Sequence, residues 1–103
     1  MSVVLLIKDF EDAPDRSIAV ATQAHFVGQW VRGASALGLE WVPLAETGFD
    51  ITADNRSDVL DELKRLRAWF AEHDDAHSIA RLDPLVGEIE RLQFERGATA
   101  FFG

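Results

Sequence analysis

The residues of this chain that could most directly do chemistry lie in one stretch, HDDAHSIARLD, residues 73–83. His73 and His77 are four residues apart, a spacing that places two imidazoles on one face of a continuous helix. Asp83 follows six residues after the second histidine. Two imidazoles and a carboxylate form a ligand set that zinc accepts, so this pattern is one that a metal-dependent hydrolase could use.

The stretch locally resembles the zinc peptidases of the short metzincin kind, whose pattern is His-Glu-x-x-His-x-x-Gly-x-x-His, or Asp at the last position. His73, His77 and Asp83 match its three ligand positions. Asp74 replaces the glutamate base and retracts the carboxylate by one methylene, while Ala80 replaces the glycine that lets the chain turn. The resemblance covers residues 73–83 of a 103-residue chain. It implies a metal held by His73, His77 and Asp83.

The residues between the two histidines favour a different structure. Aspartate is a poor interior helix residue and a good N-cap, and the apolar stripe of the preceding helix ends at Phe70. We therefore predict that Asp74 or Asp75 starts a new helix and that residues 73–83 form the corner between two helices, without a metal or other cofactor. A metal-dependent enzyme built on the same residues is the alternative.

Other catalytic patterns find little support in the sequence. VVLLIKDFED looks like the start of a two-component receiver domain, which implies acidic residues holding magnesium at a strand end. The later segment EWVPLA lacks the aspartate that would accept a phosphoryl group, so we interpret DFEDAPD as a solvated loop. Nucleophile elbows and glycine-rich phosphate loops are missing from the sequence. We expect a protein that is not an enzyme.

Composition narrows the class of protein. The 103 residues are enough for one domain, 1–103, and 48% of them are hydrophobic. Ten basic and eighteen acidic residues give a net charge of −8, which repels nucleic acid and anionic membranes. The chain has no cysteine, which excludes disulfides and thiolate metal sites. Because no apolar run approaches the roughly 18 residues of a membrane span, we expect a cytoplasmic protein.

Periodicity predicts the first elements. The apolar run Val3 to Ile7 is typical of a strand covered on both faces, and it should be central in the sheet. Thr22 can cap a helix that ends at Gly38. The apolar stripe of this helix consists of Phe26, Trp30, Ala34 and Leu37. Residues 39–44 are interpreted as a second strand, parallel to the first if the two pair directly, and residues 49–52 as a third strand or an extended segment.

The second half of the chain is predicted to be helical. A helix follows Asn55, with an apolar stripe of Val59, Leu63, Leu66 and Phe70. The last helical region should break at Pro84, with Asp83 capping the second piece. Residues 97–103 then form an apolar tail that is either docked or free. The predicted fold is α+β, a small layer of two or three strands packed against three helices.

Carboxylates gather around the first strand, the turn after residue 44 and the start of the second helix. We expect them to converge on one edge of the domain and to bind a basic protein partner. The alternative is that they serve only as caps and turn residues. The predicted contacts are Asp9, Glu11, Asp12, Asp15, Glu46, Asp50, Asp54, Asp58, Asp61 and Glu62.

Size, acidity and the lack of catalytic motifs suggest a protein-binding module, most concretely an immunity or antitoxin-type inhibitor that occludes a basic surface. A second alternative is a homo-oligomeric structural or regulatory module, such as a homodimer, in which the AFF segment docks on a neighbouring subunit.

Overall fold

Four strands form one antiparallel sheet in the computed structural model, which describes residues 2–103. The strands are β1 (Ser2–Lys8), β2 (Arg16–Thr22), β3 (Phe49–Ile51) and β4 (Thr99–Phe102). Their order in the sheet is β2-β1-β4-β3, so β1 is central, as predicted. The fold is α+β, with one more strand than the two or three expected.

The strand β1 is covered on one face only, which corrects the prediction of two buried faces. Val3, Leu5 and Ile7 are buried, whereas Leu6 between them is exposed. The buried side chains of the sheet belong to the same core as those of the helices. The helices therefore pack on one face, and the opposite face of an antiparallel sheet can be left to solvent.

The strand β2 was not predicted, and it makes the first two strands an antiparallel hairpin. Residues 9–15 form the loop between them, as expected for DFEDAPD. The register between β1 and β2 shifts at Val3 and Val4, which is a β-bulge. Since β1 pairs with β2 and β4, both antiparallel, the parallel crossover expected between residues 3–7 and 39–44 is wrong.

The first helix is found where it was predicted, although its centre is π-helical. It consists of α1 (Gln23–His25), a π-helical turn (Phe26–Val31) and α2 (Arg32–Leu37). The Thr22 hydroxyl accepts a hydrogen bond from the backbone N–H of His25 at 3.1 Å. Gly38 ends the helix in the left-handed region at φ 69°.

Residues 39–44 form a short helix, α3 (Trp41–Leu44), instead of the predicted strand. The cause lies 21 residues further along the chain, where the Glu62 carboxylate is buried. It accepts hydrogen bonds from the backbone N–H groups of Glu40, Trp41 and Val42 at 2.8 to 3.1 Å. Successive N–H groups of a strand point to opposite sides, whereas those at a helix start converge on one acceptor.

Two antiparallel helices, α4 (Arg56–Glu72) and α5 (Ala76–Glu90), complete the helical layer. The whole predicted stripe of α4 is buried. The predicted break at Pro84 is wrong, because α5 continues through it. The lost backbone hydrogen bond is offset by buried leucines on both sides of the proline, Leu82 and Leu85. Asp83 does not cap a helix; its carboxylate accepts hydrogen bonds from Arg67 at 2.7 and 3.2 Å.

The apolar tail is docked in the sheet of its own chain. After a 3₁₀ turn (Phe94–Arg96), Gly97 reverses the chain at φ 88°, and β4 enters between β1 and β3. Phe102 is fully buried, and its ring lies 6.2 Å from that of Phe26 and 5.8 Å from that of Phe49. Thr99–Phe102 of the segment 97–103 is thus paired in the sheet.

Within residues 2–103, no helix combines the length and the apolar character needed to cross a bilayer.

Two glycines of the first helix provide a matched test of its packing. A Cβ on Gly33 would lie 2.7 Å from Leu66 Cδ1 and 2.7 Å from Trp69 Cε3, whereas one on Gly28 would meet nothing within 4 Å. We expect Gly33→Ala to lower the free energy of unfolding by about 1–3 kcal/mol through overpacking against α4. Gly28→Ala should leave it unchanged or raise it by up to about 1 kcal/mol. Urea denaturation measures both, and equal effects would contradict this packing.

Candidate functional site

Nine of the ten predicted contact carboxylates are exposed, and the tenth is inside the molecule. Glu62 is only 8% exposed, and its oxygens are used by the start of α3. It is therefore removed from the candidate surface. The exposed residues are Asp9, Glu11, Asp12, Asp15, Glu46, Asp50, Asp54, Asp58 and Asp61.

The sheet topology brings two of the acidic stretches to the same end of the molecule. Because β1 and β3 are both antiparallel to β4, they run in the same direction and end at the same edge. The loop 9–15 follows β1, and Asp54 and Asp58 follow β3. Two interstrand spacings, roughly 10 Å in total, separate these strands. We call the carboxylates of the loop 9–15, with Asp50, Asp54 and Asp58, the acidic end. Glu46 follows α3, and Asp61 lies further along α4.

Basic side chains neutralise part of the acidic end. Arg16 donates two hydrogen bonds to Asp9, at 2.8 and 2.9 Å, and one to Glu88 at 3.3 Å. The hydrogen bond from Arg16 holds the pKa of Asp9 below its usual value. Lys8 Nζ lies 3.8 Å from Asp15. Asp50, by contrast, makes no salt bridge within residues 2–103.

The uncovered face of the sheet adjoins the acidic end and carries apolar side chains. Leu6 and Phe101 are cross-strand neighbours on this face and are 39% and 37% exposed. Asp50 pairs with Phe101 on its other side. These residues, with Asp15 and Lys8, line one groove of about 250 Å³. We call the solvent side of the four strands the open sheet face. Its central row, read across the strands, is Ser17, Leu6, Phe101 and Asp50.

Residues 73–83 begin with the predicted helix corner. His73 is the C-cap of α4, and Asp74 takes the left-handed region at φ 55°. Asp75 is the N-cap of α5, and its side chain accepts a hydrogen bond from the Ser78 backbone N–H at 3.1 Å. Left-handed backbone between the histidines interrupts the helix, so the i, i+4 geometry is lost. The prediction that Asp75 starts a new helix is confirmed.

The three residues of the metal alternative have separate contacts. The His73 ring stacks on Trp69 at 3.9 Å, and its Nδ1 lies 2.8 Å from the Trp69 carbonyl oxygen. Asp83 is held by Arg67, and the His77 ring meets that of His25 edge-on at 5.1 Å. Among residues 2–103, no group of three or more histidine, aspartate or glutamate side chains is arranged to hold a metal ion.

A hydrogen-bond relay that the sequence did not indicate joins α1 to the helix corner. The fully buried Ser78 hydroxyl donates to Asp75 Oδ2 at 2.6 Å and lies 3.0 Å from His25 Nε2. A hydroxyl has one proton, and a carboxylate can only accept. Ser78 therefore donates its hydrogen bond to Asp75 and accepts one from the Nε2–H of His25. The relay thus requires a proton on His25 Nε2.

The charge state of Asp75 follows from the same contacts. Burial raises the pKa of Asp75, but hydrogen bonds from the Ser78 hydroxyl and backbone N–H outweigh it, assisted by the charges of His25 and His77. The net result is a pKa below the ordinary value of 3.8. The D-x-x-S spacing of an N-cap is visible in the sequence, whereas a contact with His25, 53 residues away, is not.

The chain matches no protein-family model, no curated protein and no solved structure.

Glu62→Ala tests whether this carboxylate serves the fold. We expect the free energy of unfolding to fall by about 2–4 kcal/mol, because three backbone N–H groups lose their acceptor, one of them buried. Asp61→Ala, the exposed neighbour, should change it by no more than about 0.5 kcal/mol. Urea denaturation of both variants is the measurement. A stable Glu62→Ala protein would show that the start of α3 does not need this anion.

Asp75→Asn tests the relay through its pH dependence. Because the pKa of Asp75 is lower in the folded chain, its ionised form stabilises the protein above pH 3.8, and that contribution disappears as the pH falls through the folded pKa. Asparagine can still cap α5 but carries no charge. The difference in unfolding free energy between the two proteins should therefore be largest near neutral pH and shrink below pH 3.8. A difference that stays constant with pH would rule out the charge as its cause.

Proposed function

We propose that this protein binds a basic protein partner through the open sheet face and the adjoining acidic end. The observation that carries the proposal is the juxtaposition of an exposed apolar pair with a carboxylate that has no cationic partner within residues 2–103. Leu6 and Phe101 are neighbours across β1 and β4, and Asp50 is the next residue in the same row.

The apolar pair supplies the part of such an interface that would be desolvated. Each square ångström of apolar surface removed from water contributes about 25 cal/mol, and interfaces place such residues at their centre with a polar rim. The Phe101 ring lies directly over Gly48, because a Cβ added to this glycine would come within about 3 Å of the ring carbons. This contact holds the ring in place before a partner binds. Preorganised aromatic side chains lose little conformational entropy on association.

The charges favour a basic partner. A net charge of −8 attracts positively charged proteins over a distance of about one Debye length, roughly 8–10 Å at physiological salt. Asp15 and Asp50 line the groove, and the other exposed carboxylates of the acidic end extend the negative surface beyond it. Among residues 2–103, Lys8 is the one basic residue that lines the groove, and it is paired with Asp15.

The most concrete form of this function is inhibition, in which the protein occupies a basic surface that a toxin would use for its own substrate. The proposal treats the protein as a non-enzymatic, cytoplasmic immunity or antitoxin-type module. The absence of cysteine from its sequence fits a reducing compartment.

Paired variants test the surface. Leu6→Ser and Asp50→Lys alter the open sheet face. Val27→Ser and Asp61→Lys make comparable changes, apolar to serine and aspartate to lysine, at exposed positions elsewhere. We expect a basic protein to be captured from lysate by the wild type and by both control variants. Leu6→Ser should weaken its binding by about tenfold or more, and Asp50→Lys should slow association by about tenfold at low salt.

Three results would overturn the proposal. One is that both pairs of variants behave alike, which would mean nonspecific attraction to an acidic protein. Another is that the association rate does not depend on salt. The third is that sedimentation experiments show a dimer, and that Leu6→Ser dissociates this dimer whereas Val27→Ser does not. The open sheet face would then bind a second copy of this chain.

A further inference from the structure

A second surface lies at the opposite end of the sheet and differs in charge. A cavity of about 400 Å³ opens beside the edge strand β2, between that strand and the helices α1 and α5. Its floor is the strand segment Ala19–Ala21, and its polar wall includes His25, His77 and Arg81. The volume lies within the range of small-molecule sites, roughly 300–1,000 Å³.

The lining of this cavity is basic in a strongly acidic chain. The chain has eighteen acidic residues, yet none of them lines the cavity. Arg81 is exposed, and none of the six salt bridges within residues 2–103 involves it. Arg81 follows His77 by four residues on α5, so the two side chains lie on the same helix face. Asp74 and Asp75 line a neighbouring hollow instead.

The hydrogen bonds that join Asp75, Ser78 and His25 hold part of the cavity wall in position. Ser78, itself hydrogen-bonded to Asp75, holds His25 through Nε2. The rings of His25 and His77 make an edge-to-face contact. His25 Nδ1 makes no hydrogen bond in the part of the chain that the structure describes. The cavity therefore has one fixed imidazole and two further side chains that can donate hydrogen bonds, beside small apolar residues.

We propose that this cavity binds a small organic anion, a carboxylate attached to a short aliphatic body. The Arg81 guanidinium can donate two parallel hydrogen bonds to a carboxylate, and the His77 imidazole can donate another. The exposed Ala19 and the half-buried Ala21 of the floor would cover the aliphatic part, which inorganic phosphate lacks. This site shares no residue with the groove of Leu6, Phe101 and Asp50, and it does not depend on the proposed protein partner.

Titration of the full chain with acetate, butyrate and inorganic phosphate tests the site, with backbone and histidine NMR signals as the readout. We expect saturable shifts at residues 19–22, His25 and His77, with butyrate binding more tightly than acetate. Arg81→Gln and His77→Gln should each weaken butyrate binding by about tenfold. Arg96→Gln, which removes the same charge from an exposed position outside the cavity, should leave the affinity unchanged.

Several results would overturn the proposal. Phosphate binding as tightly as butyrate would remove the role of the apolar floor. If Arg81→Gln and Arg96→Gln weakened butyrate binding equally, the anion would be attracted by positive charge in general. If none of the three anions produced saturable shifts, the site would be excluded. Both Arg81 and His77 are exposed, and unchanged urea denaturation curves of their variants would separate lost binding from lost folding.

Discussion

The pairing of the last strand between β1 and β3 is the constraint on which the rest of the structure depends. β4 contributes only Thr99–Phe102, yet it supplies hydrogen bonds to both neighbours and buries Phe102 in the core. Its antiparallel pairing on both sides makes β1 and β3 run in the same direction. The loop 9–15 and the start of α4 consequently lie at one end of the sheet, although more than forty residues separate them in the sequence.

The same pairing explains why one surface is apolar. Successive side chains of a strand alternate between faces, so burying Ala100 and Phe102 necessarily turns Phe101 to the opposite side. Leu6 is likewise turned outward between Leu5 and Ile7. The helices pack on the core face, so nothing among residues 2–103 covers these outward side chains fully. The apolar row of the open sheet face is therefore a direct consequence of the register, and Asp50 joins it through the pairing of β3 with β4.

Local sequence signals predicted the elements whose causes are local. The stripe of α4, the caps Thr22 and Asp75, and the reversal at Gly38 depend on residues within a few positions of each other. The segment 39–44 has strand-like composition, and only a carboxylate from another helix makes it α3. Pro84 lies within α5 because its neighbours are buried by tertiary packing, which overrides the local preference. At β2, the bulge interrupts the alternation on which strand prediction depends.

The candidate surfaces show the same division between local and long-range causes. The sequence alone identified the acidic residues, but which of them lie close together depends on the directions of the strands. Glu62 is not part of the acidic surface, because its buried carboxylate accepts hydrogen bonds from the start of α3. The cavity beside β2 combines residues 19–22 and 25 with residues 77 and 81, which no spacing rule connects. The acidic end and the cavity lie at opposite ends of the sheet, because the loop 9–15 follows the end of β1 and Ser2 lies at its start. The strand β1 spans roughly 20 Å, and exposed charges further apart than about 10 Å are largely screened, so the acidic end would have little effect on the proposed anion site.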